Sequence, residues 1–165
     1  MVCCIRLIQV GTSMNGKLVL VAKRQFEIYR RPSHLNIILR DKRHPAAAAP
    51  AENSVRIKAA MEWLCRAQDA TGCGGVSGGY HFDTGWLGPY PETTGYIIET
   101  FIEYSSITHD NSFLDRAVRM GDWECEVQLD TGAVRGGVGV NDYPIVFNTG
   151  QVMLGWAALH RATGQ

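Results

Sequence analysis

Residues 63–75 read WLCRAQDATGCGG, and residues 123–137 read WECEVQLDTGAVRGG. Trp63 is matched by Trp123, Cys65 by Cys125, Gln68 by Gln128, and Thr71-Gly72 by Thr131-Gly132. A repeated helix end followed by a glycine turn points to a tandem of similar units. The residues upstream support a helix. SVRIKAAMEWLCRAQ, from Ser54, places Ile57, Ala60, Met61, Leu64 and Ala67 on one face. Gly72 follows where a left-handed C-terminal cap belongs.

A second helix is predicted from Thr93-Thr94, with a stripe of Ile97, Ile98, Phe101, Ile102 and Ser105. A third opens at SFLD, where Ser112 and Asp115 have capping-box spacing. It runs through Leu114, Ala117, Val118, Gly121 and Cys125. FNTGQVMLGWAALHRATG, from Phe147, is the fourth. It echoes the second: Thr94-Gly95 pairs with Thr149-Gly150, Phe101 with Trp156, Thr108 with Thr163, and Pro89 with Pro144. The fold expected for 54–165 is therefore mainly α: helix, glycine-rich loop, helix, written twice. One such hairpin cannot bury its apolar face alone, so neighbours must stack. Trp63 and Trp123 are expected to be buried between the hairpins. Gln165 aligns with Asp110, where the next outer helix would begin. Further repeats, or a second copy, are expected to cover the open flank.

The first residues differ. Residues 1–56 carry ten Lys or Arg against three Asp or Glu, and residues 57–165 carry six against thirteen. This makes 1–44 a basic arm on an acidic body, suited to membrane headgroups, nucleic acid, the body itself, or plain solvation. CCIRLIQV and KLVLVA flank GTSMNG and read as a β-hairpin, with QFEIYRR and HLNIILR as further short strands. Met14 is an alternative start to Met1. HPAAAAPAEN makes 45–53 an Ala/Pro linker. Five cysteines, an odd number with no zinc or redox spacing, read as reduced thiols in a cytoplasmic setting. Cys65 and Cys125 are placed where a buried thiol packs well. No run approaches a transmembrane length, and nothing here forms a signal peptide.

GGYHFDTGWLGPYPE (78–92) is the richest stretch for chemistry. Tyr80, Phe82, Trp86 and Tyr90 offer ring faces and polar tips suited to sugars, or serve to staple a long loop to helix ends. Glycoside hydrolysis needs two carboxyl groups, one protonated and one ionised. Asp83 and Glu92 are one candidate pair, and Glu92 with Asp142 the other. Glu92 also suits a helix N-terminus electrostatically. His81 is a candidate general base. Thr93 and Asn148 occupy matched positions as N-caps, where exposed amides can also hold an anion. The glycines form neither a dinucleotide fingerprint nor a P-loop. No cofactor, metal site or specific nucleic-acid site is expected.

The Trp-containing helix ending in Gln before a Gly-Gly turn, with PYPETTGYIIETFIEY, LDRAVRMGDWECEVQ and VFNTGQVMLGWAALHRATG, resembles the α/α-toroid superfamily over about residues 57–165. That superfamily holds six-hairpin glycosidases, uronyl hydrolases, sugar epimerases, and terpene cyclase and prenyltransferase repeats. The resemblance implies alternating inner and outer helices, with ligands entering where inner helices begin. It implies a carbohydrate-active protein on an oligosaccharide or uronate-containing glycan, a hydrolase, lyase or epimerase. The alternatives are a terpene-cyclase-like toroid and a non-catalytic helical-repeat binding module. Val76 after the Gly-Gly turn, where terpene cyclases usually carry Trp, and the lack of an Asp-rich run count against terpene chemistry.

Overall fold

In a computed structural model, residues 14–43, 51–137 and 143–164 are described. The chain divides into two compact units, Met1–Ala48 and Ala49–Gln165.

In the first unit, α1 (Met14–Tyr29) and α2 (Pro32–Arg43) are joined by a two-residue turn. The strands expected at 17–22, 25–31 and 34–40 are helices instead. A small sheet with no covering layer would leave its edges and one face open. A helix closes its backbone hydrogen bonds within the segment. The first strand of the expected hairpin, and linker residues 45–50, lie outside the described residues.

The second unit is mainly helical: α3 (Asn53–Asp69), α4 (Pro91–Thr108), α5 (Asn111–Glu126) and α6 (Val146–Thr163), with a small hairpin of β1 (Tyr80–His81) and β2 (Gly85–Trp86). Its core joins Met61 and Ala67 of α3 to Val76, Ile98, Phe101, Ala117 and Met120. α4 turns into α5 through left-handed His109 (φ 56°) and Asp110. The carboxylate of Asp110 accepts from the Ser112 amide at 3.0 Å, so Asp110 caps α5 in place of the expected capping box at Ser112.

The repeat is visible atom by atom. After α3 and α5, Gly72 (φ 68°) and Gly132 (φ 82°) take the left-handed conformation that any other residue adopts at a cost. The glutamines differ in their acceptors: the Gln68 amide donates to the Gly74 carbonyl six residues on, at 2.9 Å, and that of Gln128 to Gly132 four residues on, at 2.7 Å. The Val76 amide donates to the Thr94 hydroxyl and the Val134 amide to the Thr149 hydroxyl, both at 2.9 Å. Each threonine hydroxyl in turn donates one helical turn back, to the carbonyl of Tyr90 or Ile145. Thus a side chain in the first turn of α4 and of α6 satisfies the amide of a buried valine in the preceding loop.

The two units are not equally enclosed. Gln68 is buried, donates also to the Arg116 carbonyl at 3.0 Å, and accepts from the Arg116 guanidinium at 2.8 Å. Arg116 further grips Asp69 through both carboxylate oxygens, at 2.8 and 3.1 Å. Gln128 is exposed, because no helix lies beside it as α5 lies beside Gln68 among the described residues. The tryptophans follow the same asymmetry. Trp123 is 4% exposed and packs on the first glycine turn, where a Cβ on Gly75 would meet its ring at 2.5 Å. Trp63, expected to be buried like it, is 45% exposed, since no preceding unit covers it among the described residues. Cys65 is half-buried and Cys125 exposed, so the matched thiols do not share an environment.

Candidate functional site at the start of the inner helices

Contacts run in register along α4 and α6. Tyr90 meets Asn148, Gly95 meets Gln151 and Val152, and Ile98 meets Gly155. α4 and α6 are therefore parallel, and both begin at the same end of the unit.

The first of two clusters at that end is the β-hairpin. Tyr80 pairs with Trp86 and His81 with Gly85. The Tyr80 and Trp86 rings meet edge to face at 5.0 Å, and Phe82 adds to Tyr80 at 6.3 Å. Trp63 of α3 completes the group, 4.7 Å from Trp86 and 5.9 Å from Tyr80, with the Arg66 guanidinium 5.8 Å over its ring. These half-buried rings fasten the long loop to α3, with each aromatic pair adding about 1 kcal/mol to the burial of its area. At the hairpin tip His81 Nδ1 lies 3.9 Å from Asp83 Oδ1, which accepts from the Thr84 amide at 3.0 Å.

The second cluster bridges the two inner helices. Tyr90, the residue before α4, donates its hydroxyl to Glu92 Oε2 at 2.5 Å. Asn148, 2% exposed in the first turn of α6, points Nδ2 at the Tyr90 hydroxyl and at the Arg135 carbonyl, each at 3.4 Å. The bond to Glu92, then burial, raises the Tyr90 phenol above its ordinary range, so it stays a donor. Tyr143 is close enough to add to that shift. One turn along, the half-exposed rings of Tyr96 and Phe147 lie 6.3 Å apart. Glu92 sits in the first turn of α4, where the helix dipole favours a carboxylate.

The predicted residues thus divide. Tyr80, Phe82 and Trp86 gather with Trp63, while His81 and Asp83 meet at the hairpin tip. Tyr90, Glu92 and Asn148 form the inter-helix bridge. Asp83 and Glu92 belong to different clusters, and Asp142 lies outside the described residues. Thr93 and Asn148 are not N-caps: they are the third residues of α4 and α6, whose caps are Tyr90 and Ile145. Pro91, with φ preset for a first helical residue, starts α4 earlier than the Thr-Thr pair suggested. Tyr96 and Phe147 are additions; Tyr96 stands four residues after Glu92, on the same helix face.

Glu124 was not apparent from sequence. It occupies the repeat position of Leu64, is fully buried, and has no hydrogen-bond partner on either oxygen among the described residues. Burial pushes its carboxyl up to about 9, only partly opposed by Arg135. It is a neutral acid at pH 7.

A groove of about 460 Å³ lies elsewhere, between α3 and the α4–α5 turn, lined by Lys58, Glu62, Arg66, Tyr104, Asp110 and Phe113. No group of three or more His, Cys, Asp or Glu among the described residues is placed to hold a metal ion, and no described helix is long and apolar enough to cross a membrane. Comparison with known proteins returns no family model, no curated protein and no solved structure that matches the chain.

Proposed function

We propose that this chain is a carbohydrate-active protein of the α/α-toroid type, binding an oligosaccharide or uronate-containing glycan across the starts of α4 and α6. The observation that carries this reading is the Tyr90 hydroxyl held between Glu92 of one repeat and Asn148 of the next. Beside it stand the half-exposed rings of Tyr96, Phe147 and Tyr143. Ring faces suit the apolar faces of sugars, and a carboxylate with a phenol and an amide suits their hydroxyls. In a hydrolase, lyase or epimerase of this kind Glu92 is the acid or base, and Tyr90 positions its carboxyl group. Asp142 precedes Tyr143 in the loop before α6 and is the candidate second carboxylate.

A non-catalytic glycan-binding module is the second reading. It is favoured by the placement of Asp83 in the hairpin cluster, apart from the Glu92 network. A glycan array followed by a turnover assay on the ligands it identifies tests both. Turnover lost in Glu92→Gln, with binding retained, supports the enzyme. Binding without turnover, unchanged by Glu92→Gln, supports the module. No glycan bound at any concentration rejects both.

A further inference from the structure

α6 carries no charged residue from Val146 to Leu159. Such a helix belongs in an interior, yet only one side of it is covered. Asn148, Val152, Gly155 and Ala158 are buried, while Val146, Met153 and Leu154 are 91%, 58% and 62% exposed. Helical spacing puts Val146, Gly150, Met153 and Ala157 on one stripe, with Leu154 at its edge.

The fold itself shows what such a face receives. On α4 the equivalent residues are Gly95 and Ile98, and there α6 is seated so closely that a Cβ on Gly95 would lie 2.9 Å from Val152 Cα. Gly150, the counterpart of Gly95, has nothing within 4 Å of the same point. Among the described residues the open face is thus a helix seat without a helix. Were α4 of another chain seated there head to tail, its Thr100 would stand where Gly155 stands against α4. At Gly155 even a Cβ would come within 2.8 Å of a carbonyl oxygen, and threonine is branched at that atom. The stripe does fit itself. About a centre between Met153 and Leu154, Met153 pairs with Leu154 and small Gly150 with small Ala157, and the next pair outward is Val146 with Arg161, whose stem can lie along apolar surface while its guanidinium stays in water. Between Val146 and Leu159 it has no charge to desolvate, and the Arg161 side chain is 65% exposed at the rim.

We propose that two copies of this chain associate through this face of α6, the helices antiparallel about a two-fold axis between Met153 and Leu154. Gly150 of one copy then faces Ala157 of the other, and the contact is self-complementary, as a closed dimer requires. Light scattering on the full chain across a concentration series tests this. The expected mass is twice 18.2 kDa, falling to the single-chain value in Met153→Glu and in Leu154→Lys with unchanged circular dichroism. Mixing those two variants should restore the doubled mass, because the axis sets opposite charges together. Thr100→Lys, on the exposed side of α4, should leave it unchanged. A single-chain mass at every concentration, a larger assembly, or a dimer that survives both α6 substitutions or is lost with Thr100→Lys would overturn the proposal.

Discussion

Gly95 of α4 and Gly155 of α6 meet backbone to backbone: a Cβ on Gly155 would lie 2.8 Å from the Gly95 carbonyl oxygen and 2.9 Å from Ile98 Cδ1. The obstacle includes backbone, which cannot swing aside. This approach sets the spacing of the inner helices and so of Tyr90 and Asn148 at their starts. Gly155→Ala should therefore destabilise by about 1–3 kcal/mol through overpacking, although alanine is the better helix former. Chemical denaturation checks it; a gain in stability would show that the helices are free to separate.

Thr94 and Thr149 hold the loops to the inner helices in both repeats. Thr94→Val keeps the shape and leaves the Val76 amide, donating at 2.9 Å, without its acceptor. Because Val76 and Thr94 are both buried, the expected loss is about 1–3 kcal/mol. Thr149→Val should cost less, since Thr149 itself is only half-buried, although the Val134 it serves is buried. Equal losses at the two sites, measured by urea unfolding, would argue against the difference in enclosure.

Trp123→Ala should destabilise by roughly 3–5 kcal/mol, because the indole is buried against the first glycine turn. Trp63→Ala should cost roughly 1–2 kcal/mol, the worth of a half-exposed ring with two aromatic neighbours. Near-ultraviolet circular dichroism should lose the hairpin's aromatic signal only in the Trp63 variant.

Glu124 makes stability depend on pH. Its folded carboxyl group titrates near 9 and its unfolded one near 4.5. Between those values the folded chain holds a proton that the unfolded chain has released, so stability falls as pH rises. Below about 4.5 both states are protonated and the group adds no further pH dependence. Glu124→Gln should flatten the slope between pH 5 and 8. Glu124→Leu, restoring the Leu64 type, should raise stability by about 3 kcal/mol more at pH 7 than at pH 4. Thermal melts of wild type and Glu124→Gln at pH 4, 5.5, 7 and 8.5 check this; parallel curves would place the carboxyl group in contact with water.

Much of this molecule was determined by sequence alone. The four helices of 53–163, the glycine turns after Gln68 and Gln128, and the duplicated threonines all lie in local patterns. Helix periodicity, left-handed glycines and side chains one turn apart act over a few residues, and two similar lines of text fold into two similar units. The helical state of 14–43 was not legible, because Val- and Leu-rich runs suit either structure and only the lack of a covering layer decides. Tertiary structure alone decided which matched residues are enclosed. Trp63 and Trp123, Gln68 and Gln128, and Cys65 and Cys125 stand at equivalent positions, yet burial belongs to what packs beside a residue. It also decided that Asn148 of α6 meets Tyr90, the partner of Glu92, across 58 residues of sequence. That contact follows from how α4 and α6 cross, and a crossing is set by contacts between residues far apart in the chain.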